Sequence, residues 1–282
     1  MPAPAILRTL AVVGAGYVGT ALATATARAG IATWAVRRRA SPGTHDGVTW
    51  CAGDVATGAI DGLPGALDAL VLALAPGAAH DDYERTYVAG ARGALALARA
   101  TGARLVYTSS TGVYGVHDGS WVTEASPRRG AGPSNAALVA AEDVLLDQPD
   151  VAVTVLRVAG IYGPGRDPSH RYRDPAALAR GGDYWVNLAH RDDIAAAVRH
   201  VLALDPATAP RVLNCADGAP ALARDVCAWL HARAGGDPAT LAFTGTGAPA
   251  RSNQRVSSAA LQATGWRPAH PSFREGLASL GA

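Results

Sequence analysis

The stretch Gly14-Ala15-Gly16-Tyr17-Val18-Gly19 decides the fold, because it follows an apolar strand-like run and opens a helix-like one. In that context Gly14 permits a tight turn, and Gly16 lets the backbone approach a pyrophosphate. Gly19 lets the helix pack closely on the strand, and the helix N-terminus stabilises the anion. We therefore predict a phosphate-binding loop of Gly14, Gly16, Tyr17, Val18 and Gly19, the alternative being a tight turn that binds nothing.

Short β-rich runs alternate with alanine-rich helical runs through the first two thirds of the chain. The predicted strands are 9–13, 32–36, 48–51, 70–74, 104–108, 152–157 and 211–214. The predicted helices are 19–29, 83–100, 135–146 and 192–204. This alternation is typical of βαβ units, so we predict an α/β fold with a doubly wound parallel sheet of the Rossmann type and a smaller C-terminal region.

The sequence becomes rich in Gly, Pro and Arg after about residue 160, as in the stretch 163–166. Such a composition is typical of loops that cover a substrate. We predict a Rossmann domain over residues 1–160. A substrate-binding region over 161–282 is expected to be interleaved with the last Rossmann elements at about 187–215.

Composition excludes several classes of protein. The chain has 282 residues, of which 49% are hydrophobic and 17% charged, enough to bury a large core. A net charge of +2 with dispersed arginines argues against a nucleic-acid partner. Without an apolar run of about 18 residues no membrane span is predicted, and glycines interrupt the N-terminal apolar stretch, which argues against a signal peptide. Three isolated cysteines suggest a reducing compartment, so we expect a cytoplasmic protein.

Three arginines, Arg37, Arg38 and Arg39, follow the second predicted strand. They lie about 20 residues after the glycine loop, where a dinucleotide site meets the adenosine ribose. An acidic residue there would favour NAD(H), whereas guanidinium groups suit a 2′-phosphate. NADP(H) is therefore predicted in preference to NAD(H), with a solvated basic turn as the alternative.

Further motifs resemble the extended short-chain dehydrogenases/reductases, typified by sugar-nucleotide epimerases and dehydratases. The motifs are Gly53-Asp54, YTSSTGVYG at 107–115, EASP at 124–127, LR at 156–157, GIYGPGR at 160–166 and NLAHRDD at 187–193. The resemblance covers nearly the whole chain and is strongest to an atypical branch of the family. It implies cofactor contacts from Asp54, Leu74, Ala75, Ser109, Gly160, Ile161 and Tyr162, in addition to the glycine loop, Arg37 and Arg38.

The family's catalytic tyrosine and lysine are missing. The resemblance places a catalytic hydroxyl at Ser110 and a Tyr-xxx-Lys pair eight and four residues before Glu142, but those positions hold Ser134 and Leu138. No shift of register supplies the lysine, because all 25 basic residues are arginines. In the family the tyrosine transfers a proton and the lysine lowers its pKa, so the usual mechanism cannot operate unchanged.

Three functions remain open. The first is redox chemistry with substitute groups, in which Ser110 and Thr111 polarise a carbonyl and Tyr114 or Tyr162 supplies the acid, the alternative for Tyr114 being a packed core tyrosine. The second is a non-redox lyase, isomerase or cyclase that uses the loop after the sixth strand. That loop offers candidate acid/base and anion-binding groups, namely Arg166, Asp167, His170, Arg171, Tyr172, Arg173 and Asp174, of which Arg166, His170, Arg171 and Tyr172 are predicted to bind substrate. The third is a catalytically silent NADP(H)-binding protein that senses redox state.

His190 and Asp193 are interpreted mainly as a packing and capping unit. No His/Asp/Glu cluster is recognised in the sequence, so no catalytic metal is predicted. A small-molecule substrate is expected, and the helices at 83–100 and 135–146, which pair across a dimer axis in extended relatives, make a homodimer plausible.

Overall fold

A computed structural model describes residues 7–39, 43–76, 82–250 and 252–280. The chain forms two compact units. The first comprises residues 1–113, 130–157 and 194–213, and the second comprises 114–129, 158–193 and 214–282. The first unit holds the glycine loop, and the second holds most of the Gly/Pro/Arg-rich sequence.

The strands are short, and the central ones are buried along most of their length, as the apolar runs predict. In chain order they are β1 Thr9–Val13, β2 Ala32–Arg37, β3 Gly43–His45, β4 Val48–Asp54, β5 Ala59–Ile60, β6 Ala69–Leu72, β7 Arg104–Ser110, β8 Trp121–Val122, β9 Val153–Val158, β10 Gly160–Tyr162, β11 Trp185–Val186, β12 Leu188–His190, β13 Val212–Cys215, β14 Ala221–Leu222 and β15 Arg255–Val256. All seven predicted strands are present, with ends shifted by at most three residues.

Nine of the strands in the described ranges form one sheet, in the order β13-β9-β7-β6-β1-β2-β4-β3, with β5 paired to β4. Strand β1 pairs in parallel with both β2 and β6, so the strand order reverses at β1. Such a reversal creates the crevice at the carboxyl ends of the strands in which doubly wound sheets bind ligands. The predicted fold class is therefore confirmed, and the glycine loop follows the strand at the reversal.

The α-helices are α1 Tyr17–Arg28, α2 Gly90–Thr101, α3 Pro133–Leu146, α4 Arg191–Ala203, α5 Ala223–Arg233, α6 Ala259–Ala263 and α7 Phe273–Ser279. The predicted helix 83–100 differs in its first part, because Glu84–Ala89 is π-helical and only Gly90–Thr101 is α-helical. At Gly93 an added Cβ would overlap the Val55 carbonyl oxygen, so this helix lies very close to the sheet. π-helical turns within helices are frequent at functional sites.

A charged network lies in the core of the first unit. Glu142 on α3 is fully buried and Arg157 on β9 is 3% exposed. Arg157 Nη2 donates to Glu142 Oε2 at 2.7 Å, and the Ser109 hydroxyl donates to Glu142 Oε1 at 2.6 Å. Because both charges are paired and hydrogen-bonded, the network anchors α3 to strands β7 and β9.

The second unit consists of short strands, short helices and one apolar core. Tyr162, Tyr172, Leu188, Val226 and Phe273 are among the buried side chains of that core. Over the parts of the chain that the structure describes, no helix combines the length and the apolar character that crossing a membrane requires.

Candidate active site

The glycine loop leaves no room for side chains at two of its three glycines. Gly14 has a φ of +87°, and an added Cβ would lie 2.5 Å from the Ala73 carbonyl oxygen. At Gly19 a Cβ would lie 2.6 Å from the Gly14 carbonyl oxygen. Gly14 therefore makes the turn and Gly19 the close helix contact, in agreement with the roles derived from the sequence.

Gly16 is different, because a Cβ there would meet only the Gly14 oxygen, at 3.9 Å. The space beside Gly16 opens onto the N-terminus of α1, whose N-cap residue is Gly16 and which has neither a side-chain cap nor an acid in its first turn. An uncapped helix N-terminus attracts anions. This part of the loop thus fits the pyrophosphate of a dinucleotide.

The basic turn lies at the end of β2, as predicted. The Arg37 guanidinium stacks over the Trp50 ring of the neighbouring strand β4, with 4.2 Å between its Cζ and the ring centroid. Arg37, Arg38 and Arg39 are all exposed. The stacking holds one guanidinium at the sheet edge, next to two others that remain accessible to an anion.

Three further predicted cofactor residues, Asp54, Leu74 and Ala75, belong to the first unit. The Asp54 carboxylate accepts from Arg85 Nη2 at 2.6 Å and from the Ala56 N–H at 3.0 Å, so one of its oxygens is paired with a guanidinium. Leu74 lies beside the glycine loop, since its Cδ2 would be 3.0 Å from a Cβ on Gly14. Ala75 follows it and is exposed.

Strand β7 presents its two serines differently. Ser109 is buried and its hydroxyl is bonded to Glu142, so only its backbone is available to a cofactor. The Ser110 oxygen accepts the Gly112 N–H at 3.1 Å and keeps a hydrogen to donate. Thr111 is buried in the short 3₁₀ helix that follows. Of the three, Ser110 is the hydroxyl best placed to donate to a substrate oxygen.

Helix α3 brings its first turn against Ser110. An added Cβ on Gly112 would lie 2.8 Å from Asn135 Oδ1 and 3.3 Å from Ser110 Oγ, so the amide and the hydroxyl flank Gly112. Ser134 is half-buried, and Leu138 is buried with 5% exposure. At the position of the family's lysine the structure therefore has an apolar core contact.

Tyr87 was not considered from the sequence, yet it reaches the position of the missing tyrosine. It lies on the π-helical turn that packs against α3, is 8% exposed, and its hydroxyl is hydrogen-bonded by the Ser134 side chain. Its ring stacks on Tyr83 with 6.4 Å between centroids. Burial raises the pKa of Tyr87 and the neighbouring Tyr83 raises it further, whereas the Ser134 hydrogen bond lowers it.

Tyr114, a predicted substitute acid, belongs to the second unit. Its side chain is fully buried, and its hydroxyl donates to Asn214 Oδ1 at 2.7 Å. The Asn214 amide in turn donates to the Ser257 carbonyl at 3.0 Å. This is the geometry of a packed core tyrosine, the alternative that the sequence left open, and it disfavours a catalytic role.

Tyr162, the other predicted substitute, is also buried. Its hydroxyl lies against Gly276 of α7, where an added Cβ would overlap it, and its pKa is raised strongly by burial and by nearby Asp217 and Asp193. Gly160 and Ile161 precede it in β10, which pairs with β12. Tyr162 therefore faces the interior of the second unit, which disfavours the prediction that it supplies the acid.

The predicted substrate loop is held by hydrogen bonds between its own residues. Arg166 exchanges two backbone hydrogen bonds with Gly163, and Asp167 accepts from the Ser169 hydroxyl. His170 and Arg171 are exposed, whereas Tyr172 is 7% exposed and packs in the core of the second unit. Arg166, His170 and Arg171 are thus exposed to solvent, and burial disfavours a substrate contact for Tyr172.

The second unit also assembles a cluster that the sequence does not reveal. His190, Asp193 and His270 offer ligating atoms within 4.8 Å of one another. No such cluster is recognisable in the sequence, but the fold brings these three residues together; the absence of a catalytic metal stays a prediction. His270 is distant in sequence from the NLAHRDD motif, so no spacing pattern could reveal it.

The first unit thus defines a Rossmann-type dinucleotide-binding protein with an altered catalytic helix. The chain belongs to the NAD dependent epimerase/dehydratase family, whose profile matches residues 10–216. YeeZ of Escherichia coli K12 is 38% identical over 99 residues. That stretch spans 35% of this chain and 35% of YeeZ, so the chain matches about a third of that relative's length.

Solved structures resemble the whole chain. A Methylobacillus flagellatus protein assigned to the NAD-dependent epimerases/dehydratases is 27% identical, with a TM-score of 0.76 and 98% coverage of both chains. WbmG of Bordetella bronchiseptica, in complex with NAD, is 16% identical with a TM-score of 0.79, covering 99% of this chain and 94% of its own. At that identity the second likeness shows a shared fold.

Proposed function

We propose that the chain is an NADP(H)-binding, atypical short-chain dehydrogenase/reductase that acts on a small polar carbonyl or hydroxyl compound with a non-standard catalytic set. One observation carries the proposal. The uncapped N-terminus of α1 opens beside Gly16 at the strand-order reversal, in a chain of the NAD dependent epimerase/dehydratase family. A structural turn would have no need of this open, side-chain-free space.

Residues of the first unit would hold the cofactor. The glycine loop would hold the pyrophosphate, Asp54 would contact the adenine, and Leu74 would border the loop. When bound, NADP(H) supplies or accepts a hydride. The chain itself must position the substrate and move the accompanying proton.

The preference for NADP(H) over NAD(H) is supported by Arg37 and Arg38 at the end of β2. Arginine matches a phosphate group with two parallel hydrogen bonds, and no acidic residue occupies this turn to accept from a ribose 2′-hydroxyl. Trp50 stabilises the first guanidinium by stacking. Both features favour a 2′-phosphate.

Proton transfer is assigned to two hydroxyls of the first unit. Ser110 would polarise the substrate carbonyl. Ser134, at the position of the lost tyrosine, would give its own proton to the substrate oxygen and take a proton from the Tyr87 hydroxyl beside it, so Tyr87 would be the acid. No lysine lowers the pKa of Tyr87, so it stays protonated at neutral pH and serves carbonyl reduction better than alcohol oxidation.

A catalytically silent NADP(H)-binding protein is the second candidate. The buried Leu138 favours it, because an apolar side chain there can neither bond a ribose hydroxyl nor lower a phenol pKa. In this function the cofactor loop alone would be used.

Titration with NADPH, followed by a screen of carbonyl compounds for NADPH oxidation, separates the two candidates. The screen should include nucleotide sugars, because MoeE5, a protein of similar fold, was solved with UDP-glucose and NAD. NADPH binding with turnover supports the reductase. Binding without turnover of any compound supports the silent protein, product formation without NADPH oxidation supports a non-redox enzyme, and failure to bind either dinucleotide refutes the reading of the glycine loop.

A further inference from the structure

A compact group of two histidines and one carboxylate lies inside the second unit. His190 ends β12, Asp193 lies in the first turn of α4, and His270 precedes α7. His190 is 2% and Asp193 4% exposed. Their ligating atoms and those of His270 fall within 4.8 Å of one another.

His190 has a buried nitrogen without a partner. Its Nε2 has no hydrogen-bond partner among the described residues, although the ring is buried. Its Nδ1 accepts weakly from the Asp192 N–H at 3.3 Å and lies 4.0 Å from the Asp192 carboxylate. To bind a metal through Nε2, the ring must carry its proton on Nδ1, which gives up the weak contact with the Asp192 N–H.

Asp193 and His270 already lie at a separation suited to a shared ion. His270 Nδ1 is 3.0 Å from Asp193 Oδ2. An ion about 2.0–2.1 Å from each atom would span this separation at about a right angle. The N–H groups of Ala269 and His270 donate to the same carboxylate and fix its orientation.

Acidic side chains lie around the cluster. Burial, followed by the charges of Asp193 and Glu275, raises the pKa of Asp217 to about 7, so this carboxyl is partly neutral near pH 7. The carboxylates of Asp217 and Asp193 also raise the pKa of Tyr162, whose hydroxyl has no partner among the residues described. Arg191, the adjacent guanidinium, is paired with the exposed carboxylate of Asp192 at 2.8 Å, and the chain has no lysine. A bound cation would interact favourably with these acidic side chains.

We propose that His190, Asp193 and His270 form a binding site for one divalent transition cation of the zinc class. Two imidazoles and a carboxylate are ligands that Zn²⁺ accepts, and three protein ligands leave one position for water. The ion would join the end of β12 and the first turn of α4 to the segment before α7.

One side chain must turn for the ion to bind. The rings of His190 and His270 lie face to face, with centroids 3.8 Å apart and planes 30° apart, so their nitrogens do not point at one position. His270 is 20% exposed and is the ring with room to rotate.

The test uses the full-length protein without a histidine tag, freed of metal by chelation. Zn²⁺ alone is titrated calorimetrically, and Co²⁺ is added separately to record its visible ligand-field absorption. His270→Phe keeps a flat ring against His190 and removes both nitrogens, whereas His270→Gln keeps a polar group beside Asp193 should the Phe variant fail to fold. His45→Ala, at an exposed position on β3, is the matched control.

The proposal predicts one Zn²⁺ per chain and a four- or five-coordinate Co²⁺ spectrum for wild type and His45→Ala, with binding weakened by about 100-fold or more in the His270 variants. Absence of one-to-one binding to the wild type, or equal binding by the His270 variants, would show instead that the cluster only caps the segment 269–270. Neither result depends on NADPH binding, so failure of the proposed metal site can be distinguished from failure of the proposed function.

Discussion

The glycine loop has the tight turn, the close helix contact and the uncapped helix N-terminus of a dinucleotide-binding loop, whereas helix α3 lacks the tyrosine and the lysine that the family resemblance places there. The two regions belong to the same unit. Gly14 and Gly19 have no room for a Cβ, so substitution there is strongly constrained. Ser134 and Leu138 fit their surroundings without strain: one is hydrogen-bonded to Tyr87 and the other is packed in the core.

In this fold, dinucleotide binding and proton transfer depend on separate elements, the glycine loop and helix α3. A drift from lysine to arginine throughout the chain would have left arginine at position 138, but the residue is leucine. Leucine at position 138 therefore does not result from a simple exchange of lysine for arginine. If catalysis persists, another hydroxyl must replace the tyrosine, and Tyr87 is the candidate that lies against α3.

Replacing Tyr87 by Phe should have the largest effect. It removes the proposed acid and keeps the ring stacked on Tyr83, so NADPH oxidation with the substrate found by screening should slow by about 10²–10⁴-fold with little change in NADPH affinity. Steady-state kinetics and a binding titration measure the two quantities. Tyr83→Phe, which removes the hydroxyl of the stacked neighbour, is the control and should retain activity; equal losses in both variants would argue against Tyr87 as the acid.

Replacing Gly16 by Val tests whether the glycine loop binds the dinucleotide. The space around a Cβ at this position is open in the structure, so the variant should fold with an unchanged melting temperature. The new side chain would occupy the space assigned to the pyrophosphate. Both NADPH and NADH should therefore bind about 100-fold more weakly, a loss of about 2.7 kcal/mol of binding free energy. Gly65→Val, at another glycine with open space, is the control. Unchanged affinity in Gly16→Val would place the dinucleotide elsewhere.

These two tests concern features that differ in how far the sequence could predict them. The glycine loop and its strand are local: a tight turn, a helix start and an apolar run occupy consecutive residues, so residues 9–19 predict both structure and chemistry. The end of β2 at Arg37 was predictable for the same reason. Strand ends elsewhere shifted by at most three residues because pairing with neighbours, rather than composition, fixes where a strand stops.

Tyr87 and the second-unit cluster could not be predicted, because each depends on packing between segments distant in the chain. Tyr87 meets Ser134 only when the π-helical turn lies on α3, and its sequence reads as an ordinary helix. His270 reaches Asp193 through a loop without a regular pattern. Tyr114 and Tyr162 were plausible acids by position, but burial, which the sequence does not specify residue by residue, ties or encloses their hydroxyls.

The double variant Arg37→Ala/Arg38→Ala tests whether the cofactor-binding region prefers NADPH to NADH. Loss of the guanidinium groups removes charge-assisted hydrogen bonds to a 2′-phosphate, so NADPH should bind about 10-fold or more weakly while NADH is nearly unaffected. Titration with both dinucleotides at one ionic strength measures the ratio. Arg28→Ala, in the last turn of α1, controls for the general loss of positive charge. Equal weakening of NADPH and NADH would remove the basis for the NADP(H) preference.

The pH dependence of the reduction and oxidation rates should show the smallest effect, and it tests directly whether Tyr87 acts without a lysine. A family enzyme with lysine lowers the pKa of its tyrosine toward neutrality, whereas burial and Tyr83 raise the pKa of Tyr87 above its ordinary value. Below that pKa the hydroxyl is protonated and can donate, so the rate of carbonyl reduction should change less than about twofold between about pH 6 and pH 9. Oxidation of the corresponding alcohol needs the phenolate, whose fraction rises about tenfold for each pH unit, so its rate should still be rising at about pH 10. A plateau of the oxidation rate near neutral pH would mean that a group other than Tyr87 accepts the proton.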